Sequence, residues 1–381
     1  MNSSEEYKFD EDLMKQIMEE AGQFKPSDRT GDFRTKEASS KGGFALRDKN
    51  LQSKLRSAGK EVLWRIGKQI LSGKFNLISI AFPIRCAAEY TMLQAIAGYM
   101  KVFPHYISAA ALTEDPLERM KLLIVVALAH LEPCNTFEKP LNPILGETYS
   151  CYLADGTKVY CEQTSHHPPI THIHTIGPNN IYEFSFHSGY SASGSWNSIK
   201  VNIIGYKSFT FKDGTKITTS NTDDVIQNTL FGTMTRQVVG NQVYKDETNH
   251  INAEIEFGST KKKKEQDYVT GKICQYGQEI YSVFGNYNGY VEFNGERYWD
   301  IRDTKVFELI PSCGNDILPS DSRLRVDLNA VKKEPLDSSV PQDLKEQLEN
   351  DQRRDATLRK TAQRLREENP GLKFLTKDMF Q

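Results

Sequence analysis

The chain lacks closely spaced cysteines. Its six, Cys86, Cys134, Cys151, Cys161, Cys274 and Cys313, are scattered without a CxxC pair, which fits a reducing compartment better than a disulfide-stapled scaffold. An excess of one charge is missing too: 48 basic and 50 acidic residues give a formal net charge of −2. That balance argues against a nucleic-acid binder working by bulk charge, and leaves only local patches such as Lys261, Lys262, Lys263 and Lys264. Long apolar runs are absent. The most apolar stretch, Leu122 to Ala129, is the size of a core helix and well short of a membrane span. The start, Met1 to Glu6, is acidic with no basic region ahead of an apolar core, so it does not read as a signal peptide, and the expected setting is the cytoplasm. Catalytic glycine patterns are lacking as well: the sequence carries no P-loop, no dinucleotide fingerprint and no GxSxG elbow. Gly189 to Gly194 has small residues but no helix pattern after it, and reads as a strand corner.

Aromatic residues, in contrast, are plentiful. With 17 Tyr and 19 Phe in 381 residues, and 38% apolar content, the chain has the material for a large β-rich core, and barrels or sandwiches exceed 200 residues as one unit. Asp10 to Gln23 is a short amphipathic pattern with Leu13, Ile17 and Met18 on its apolar side. The polar stretch from Lys25 to Asp48 then reads as a mobile arm. From Leu51 to Leu131 the apolar spacing is helical, divided at Gly73, Pro83 and Pro104. At Lys139-Pro140-Leu141-Asn142-Pro143-Ile144-Leu145-Gly146-Glu147 the period changes from 3.6 to 2. Hairpin signals follow at Asp155-Gly156, Asp213-Gly214, Asn288-Gly289 and Asn294-Gly295. A meander this long hides its edges most simply by closing into a barrel. After Pro311 the chain turns Ser-, Asp- and Pro-rich, and Asp343 to Glu368 is charged and helix-favouring. The expected division is an arm at 1–49, a helical segment at 50–138, a β-barrel at 139–312 and a C-terminal subdomain at 313–381. The expected fold class is β-dominated α+β, with an antiparallel barrel of sizeable interior. A monomer is expected.

The stretch Glu162-Gln163-Thr164-Ser165-His166-His167-Pro168-Pro169 is the chemical focus. Its prolines remove two backbone donors and push His167 toward extended geometry, so sheet pairing stops there and two imidazoles stand at a rim. Their chemistry admits a metal or a phosphate. Cys161, His172 and His174 lie nearby, but the spacing is poor for one tetrahedral ion, and His172 and His174 read as ordinary strand residues. Lys345, Glu349 and Arg353 fall at i, i+4 and i+8. From pattern alone they form a solvated ladder worth tenths of a kcal/mol. The four lysines at 261 to 264 read as a charged hairpin loop unless the protein meets anionic membranes.

The octet from Glu162 to Pro169 resembles the EQxSHHPP fingerprint of the oxysterol-binding protein-related (OSBP/ORP/Osh) lipid-transfer family. Lys139 to Tyr149 resembles its KPxNPxLGE segment, Ser320-Asp321-Ser322-Arg323-Leu324-Arg325 its SDSRxRPD segment, and Lys345, Glu349 and Arg353 sit at the spacing of its C-terminal Lys, Glu and Arg. The resemblance covers roughly residues 50 to 375. Val326 departs from it where proline is usual, as does Gly285-Asn286-Tyr287 where Gly-x-Trp is common.

The resemblance implies that 50–375 form one ligand-binding domain, a large near-closed antiparallel β-barrel whose tunnel holds one lipid under an N-terminal lid, with no enzymatic activity, no cofactor and no metal. It implies phosphatidylinositol 4-phosphate as a ligand, exchanged against a sterol or phosphatidylserine, in the short form of the family that consists of the lipid-binding domain alone. Its 4-phosphate would sit on His166, His167 and Arg353, and its glycerol-side phosphate near Lys139 and Lys345. Asn142 belongs to the same headgroup site, and Glu147 and Glu349 would orient ring hydroxyls and cations. Leu13, Ile17 and Met18 become the candidate lid, and Lys261 to Lys264 a candidate contact with anionic membranes, reached transiently as a peripheral protein; no nucleic-acid partner is implied. A lipid sensor whose partner binding depends on the ligand is the alternative. A barrel makes physical sense because each acyl methylene moved into water costs about 0.8 kcal/mol, so a bare two-chain lipid would cost roughly 20 kcal/mol.

Overall fold

A computed structural model describes residues 10–66, 75–76, 83–84, 87–133, 135–166, 168–334 and 338–368. His167 lies outside these residues. The helical zone begins with α1 (Glu11–Gly22), capped by the Asp10 carboxylate, which accepts from the Leu13 amide at 3.0 Å. After the two-residue strand β1 (Phe44–Ala45) comes α2 (Lys49–Ile66), then β2 (Phe75–Asn76) and β3 (Ala87–Thr91). Thr91 and Gln94 form a reciprocal capping box that starts α3 (Met92–Gly98). Pro104 lies in the first turn of α4 (Phe103–Leu112), so it opens that helix instead of breaking one. Asp115 then caps α5 (Pro116–Ala129). The run Leu122 to Ala129 is buried on every side, as an all-round apolar helix must be.

Strands take over as the change of period predicts. They are β4 (Lys139–Leu141), β5 (Thr148–Tyr152), β6 (Lys158–His166), β7 (Pro169–Ile176), β8 (Tyr182–Ser195) and β9 (Ser198–Phe211). The run continues through β10 (Lys216–Ser220), β11 (Asp223–Gln227), β12 (Thr235–Asp246), β13 (Ile251–Phe257), β14 (Tyr268–Gln275) and β15 (Gln278–Asn286). It ends with β16 (Tyr290–Phe293), β17 (Glu296–Asp300) and the short β18 (Ile310–Pro311), before α6 (Val326–Lys333) and α7 (Val340–Glu368). All four expected hairpin turns fall between consecutive strands.

Among the described residues, sixteen strands make one antiparallel sheet, ordered β17 to β12, then β10 to β5, then β18. Its two end strands are, among the described residues, not paired with each other, so the ladder does not run continuously round a closed barrel. β3 and β4 stand apart as a parallel pair, a strand inside a stretch that spacing alone assigns to helix. The core fills the concave side, where α3, α4 and α5 meet Phe184, Phe209, Tyr244 and Ile255. No helix among the described residues is long and apolar enough to cross a membrane.

The polar arm at 25–48 is laid down on the sheet, which corrects the expectation of mobility. Arg34 donates to Asp267 through Nε at 3.0 Å, the Thr35 amide to Asn288 at 2.9 Å, and Phe44 is fully buried. Its anchors are charges and backbone groups more than 200 residues away, which leave no local periodic trace.

Candidate functional site

The site begins with a turn. Gly146 has φ 78, a left-handed value that favours glycine, and with it the chain reverses between Ile144 and Glu147, whose backbones bond at 3.0 Å. The reversal lets the Gly146 amide donate to Gln163 O at 2.8 Å and the Gln163 amide donate to Glu147 O at 2.9 Å. The proline-rich loop is thereby stitched to the strand that ends in His166. In the same strand Gln163 Oε1 accepts from Thr171 Oγ1 at 2.7 Å and its Nε2 donates to Ser165 O at 2.6 Å. His166 pairs with Pro169 across the hairpin end. So Lys139, Asn142 and His166, more than 20 residues apart at the extremes, line one cavity of about 470 Å³.

Tail helix α7 reaches the same place. A small cluster of Ile84, Leu141 and Leu328 packs β4 against α6, α6 packs on α7, and Gln342 on α7 accepts from the Ile84 amide at 3.0 Å. Lys345 bonds Glu349 at 2.7 Å, and Glu349 meets Arg353 at 3.3 Å. Lys139 Nζ donates to Asn142 Oδ1 at 2.7 Å. Burial, then the nearby Lys345, push the Lys139 ammonium down to about 8, with Glu349 opposing. The repulsion from Lys345 is offset only in part by Glu349. Arg353 is two-thirds exposed, bonded to Asn350 at 2.6 Å, and outside the cavity wall.

Glu147 must be reassigned. Its carboxylate is fully buried, accepts from Ser322 Oγ at 2.6 Å and the Ile144 amide at 2.9 Å, and pairs with Arg325 at 2.8 Å. It is not part of the cavity wall. With its oxygens taken, it cannot orient a ligand without breaking the fold; its work is to join the Lys139–Glu147 loop to the Ser320–Arg325 segment. Arg325 also donates to Asn142 O at 2.7 Å and pairs with Asp327 at 2.6 Å. The downstream motif is therefore a clasp that fixes the backbone of Asn142.

The candidate lid residues are on α1, which packs along α4. Ile17 is buried, Met18 half-buried and Leu13 exposed. No residue of α1 lines the cavity; Leu55, Ala58 and Gly59 of α2 do. The amphipathic pattern finds the apolar side of α4, a partner that sequence position does not reveal. Of the four lysines, Lys263 binds Asp32 at 2.7 Å and the other three are exposed, none on the cavity wall. His172 and His174 are on the outer face of β7.

The cavity wall also carries groups that no motif marks: Lys207, Asp224, Arg236 and His130. Arg236 pairs with Asp224 at 3.2 Å through two nitrogens, and Lys207 Nζ stands 5.4 Å from the Phe186 ring centre. His130 Nδ1 donates to Val126 O at 2.8 Å, and burial lowers its proton affinity to about 3, so the ring is neutral with Nε2 an acceptor. The alternation along β9 holds the missed signal: Ile199, Val201, Ile203, Lys207 and Phe209 all face inward, and a charge there breaks an otherwise apolar set.

The family model described as "Oxysterol-binding protein" matches residues 62–308. Oxysterol-binding protein 9 of Dictyostelium discoideum is 32% identical over 251 residues, 63% of this chain and 58% of that protein. Human oxysterol-binding protein-related protein 6 is 35% identical over 125 residues, 32% of this chain and 13% of that protein. The chain thus covers less than two thirds of the length of either relative. Among solved structures, the Osh3 ORD in complex with PI(4)P from Saccharomyces cerevisiae aligns at TM-score 0.62 and 20% identity, covering 77% of this chain and 84% of that one. The Osh1 ORD domain in complex with cholesterol aligns at TM-score 0.64 and 18% identity, covering 98% and 91%. These two likenesses establish the fold.

Proposed function

The chain belongs to the oxysterol-binding protein family, and from that premise we propose that it is a non-enzymatic lipid carrier of the cytoplasm, working at membrane surfaces and taking phosphatidylinositol 4-phosphate by its headgroup. One observation carries the reading: Lys139, Asn142 and His166 line a cavity whose walls are mainly apolar, with Lys345 close enough to lower the proton affinity of Lys139. A phosphate relieves that repulsion. Lysine meets it as a point charge, imidazole as a directional donor. Apolar walls from Phe184, Phe209, Leu123 and Val126 replace the bilayer around the chains.

His167 and Arg353 are the further headgroup ligands of this reading, and the second lipid is a sterol or phosphatidylserine. The test is transfer between liposomes by His166→Ala with His167→Ala. Phosphoinositide transfer is expected to fall to background while the protein stays folded by circular dichroism; wild-type rates in that variant would refute the reading. Mass spectrometry of lipids that co-purify with the protein identifies the second ligand.

A further inference from the structure

Exposed aromatic rings are costly to leave in water, and this protein uses a dense set of hydrogen bonds to hold two of them there. Trp196, at the tip between β8 and β9, is 71% exposed, and Phe231, on the loop before β12, is 53% exposed, with ring centres 6.5 Å apart. Between them the Asn197 side chain accepts from the amides of Leu230 at 2.8 Å and Phe231 at 3.3 Å, and donates to Phe231 O at 3.3 Å. The Thr229 amide donates to Asn197 O at 3.2 Å, and Asn228 donates to Thr233 O at 2.8 Å. A loop tied this firmly is a fixed platform.

The platform borders the lipid cavity, since Ile199, Thr229 and Met234 on the same segments line it. It also joins α2, because Arg56 donates to the carbonyls of Asn228, at 3.4 Å, and Gly232. Arg56, Lys60 and Trp64 recur every four residues, so they form one stripe of that helix, and Trp64 is 85% exposed. This stripe faces away from Leu55 and Ala58, which touch the cavity. The helix is basic throughout: Lys49, Lys54, Arg56, Lys60 and Arg65 against Glu61 alone. Aromatic rings beside cations are the pattern of a surface that rests in the interface of an anionic bilayer.

We propose that Trp196, Phe231, Lys60 and Trp64, tied together by Arg56, form the face that docks this protein on an anionic membrane. The proposal rests on the lipid-carrier reading for its purpose and on the platform for its geometry. Docking there lets a lipid pass from bilayer to cavity without crossing water. It also assigns membrane contact to this rim, in place of the lysine loop at 261–264.

The protein supplies its own probe. Its three tryptophans are Trp64, Trp196 and Trp299, and Trp299 is buried, so a change of emission on adding vesicles reports the two on the proposed face. Full-length protein is titrated with phosphatidylcholine vesicles containing phosphatidylserine, with and without brominated acyl chains. Wild type is expected to blue-shift and to be quenched, and Trp196→Ser with Phe231→Ser to lose about tenfold or more in vesicle affinity. Lys60→Glu is expected to weaken binding to anionic vesicles only, and less so at high salt. Far-ultraviolet dichroism and the amount of co-purified lipid, both unchanged, show that fold and cavity survive. Wild-type affinity in the double variant, or unquenched tryptophan in bound protein, overturns the proposal. A protein that docks by these rings yet moves no lipid overturns the carrier reading and leaves this one standing.

Discussion

Lys139 is held half-buried beside a second ammonium, and two consequences of opposite sign follow. Its proton affinity in the fold, about 8, lies below the ordinary 10.5. Between those values the unfolded chain carries a proton that the native chain lacks, so this lysine makes stability rise with pH across that window. Ligand binding runs the other way, because a phosphate needs the ammonium. Phosphoinositide affinity in vesicle isotherms is expected to weaken as pH rises through about 8 and to stay level in Lys139→Arg, whose guanidinium remains charged. A level wild-type profile would remove Lys139 from the site. Glu147 makes a different case. Arg325→Met leaves its buried carboxylate without a cationic partner, for which a loss of about 3–5 kcal/mol is expected in urea denaturation. Glu147 was legible as a motif residue yet not in its role, since the sequence does not reveal that Ser322 and Arg325 consume its oxygens.

The elements that position the site are unevenly legible in the sequence, because the interactions that define them differ in range. Hairpins such as β5–β6 were legible because Asp155-Gly156 sets its turn locally: Gly156 has φ 83, and Asp155 accepts from the Thr157 amide at 3.0 Å. The arm at 25–48 was misread because its order comes from distant partners. Arg34 sits on Asp267, whose side chain has no exposure and whose carboxyl burial pushes upward. Arg34→Ala is expected to destabilise the protein by about 3–5 kcal/mol through that stranded carboxylate. Arg29→Ala, which breaks an exposed pair with Asp303, is expected to cost less than about 1 kcal/mol. Equal losses in chemical denaturation would mean that the arm is held by something other than the buried pair. The same logic covers α1: its amphipathic spacing foretold a helix, but what covers its apolar side is decided by α4, and spacing carries no address.

At the scale of the whole molecule, segments far apart in sequence come together: the loop at Lys139 and the hairpin at His166 line one cavity, and the helix at Lys345 lies close enough to Lys139 to act on its charge. Their chemistry was visible in residue types and motif order, while their convergence depends on the Glu147–Arg325 clasp and on α6 packing between β4 and α7. A ligand that spans these segments ties them together in the folded state and has no counterpart in the unfolded chain. Its binding therefore adds to stability by mass action, about 2.7 kcal/mol when free ligand is about 100 times its Kd. Thermal unfolding of delipidated protein is expected to shift upward by several degrees on adding phosphatidylinositol 4-phosphate in vesicles. Lys139→Ala with His166→Ala is expected to lose most of that shift, because both groups line the cavity and neither carries the fold as Glu147 does. A shift retained in full by the double variant would mean that the walls alone hold the lipid, with the headgroup left in solvent.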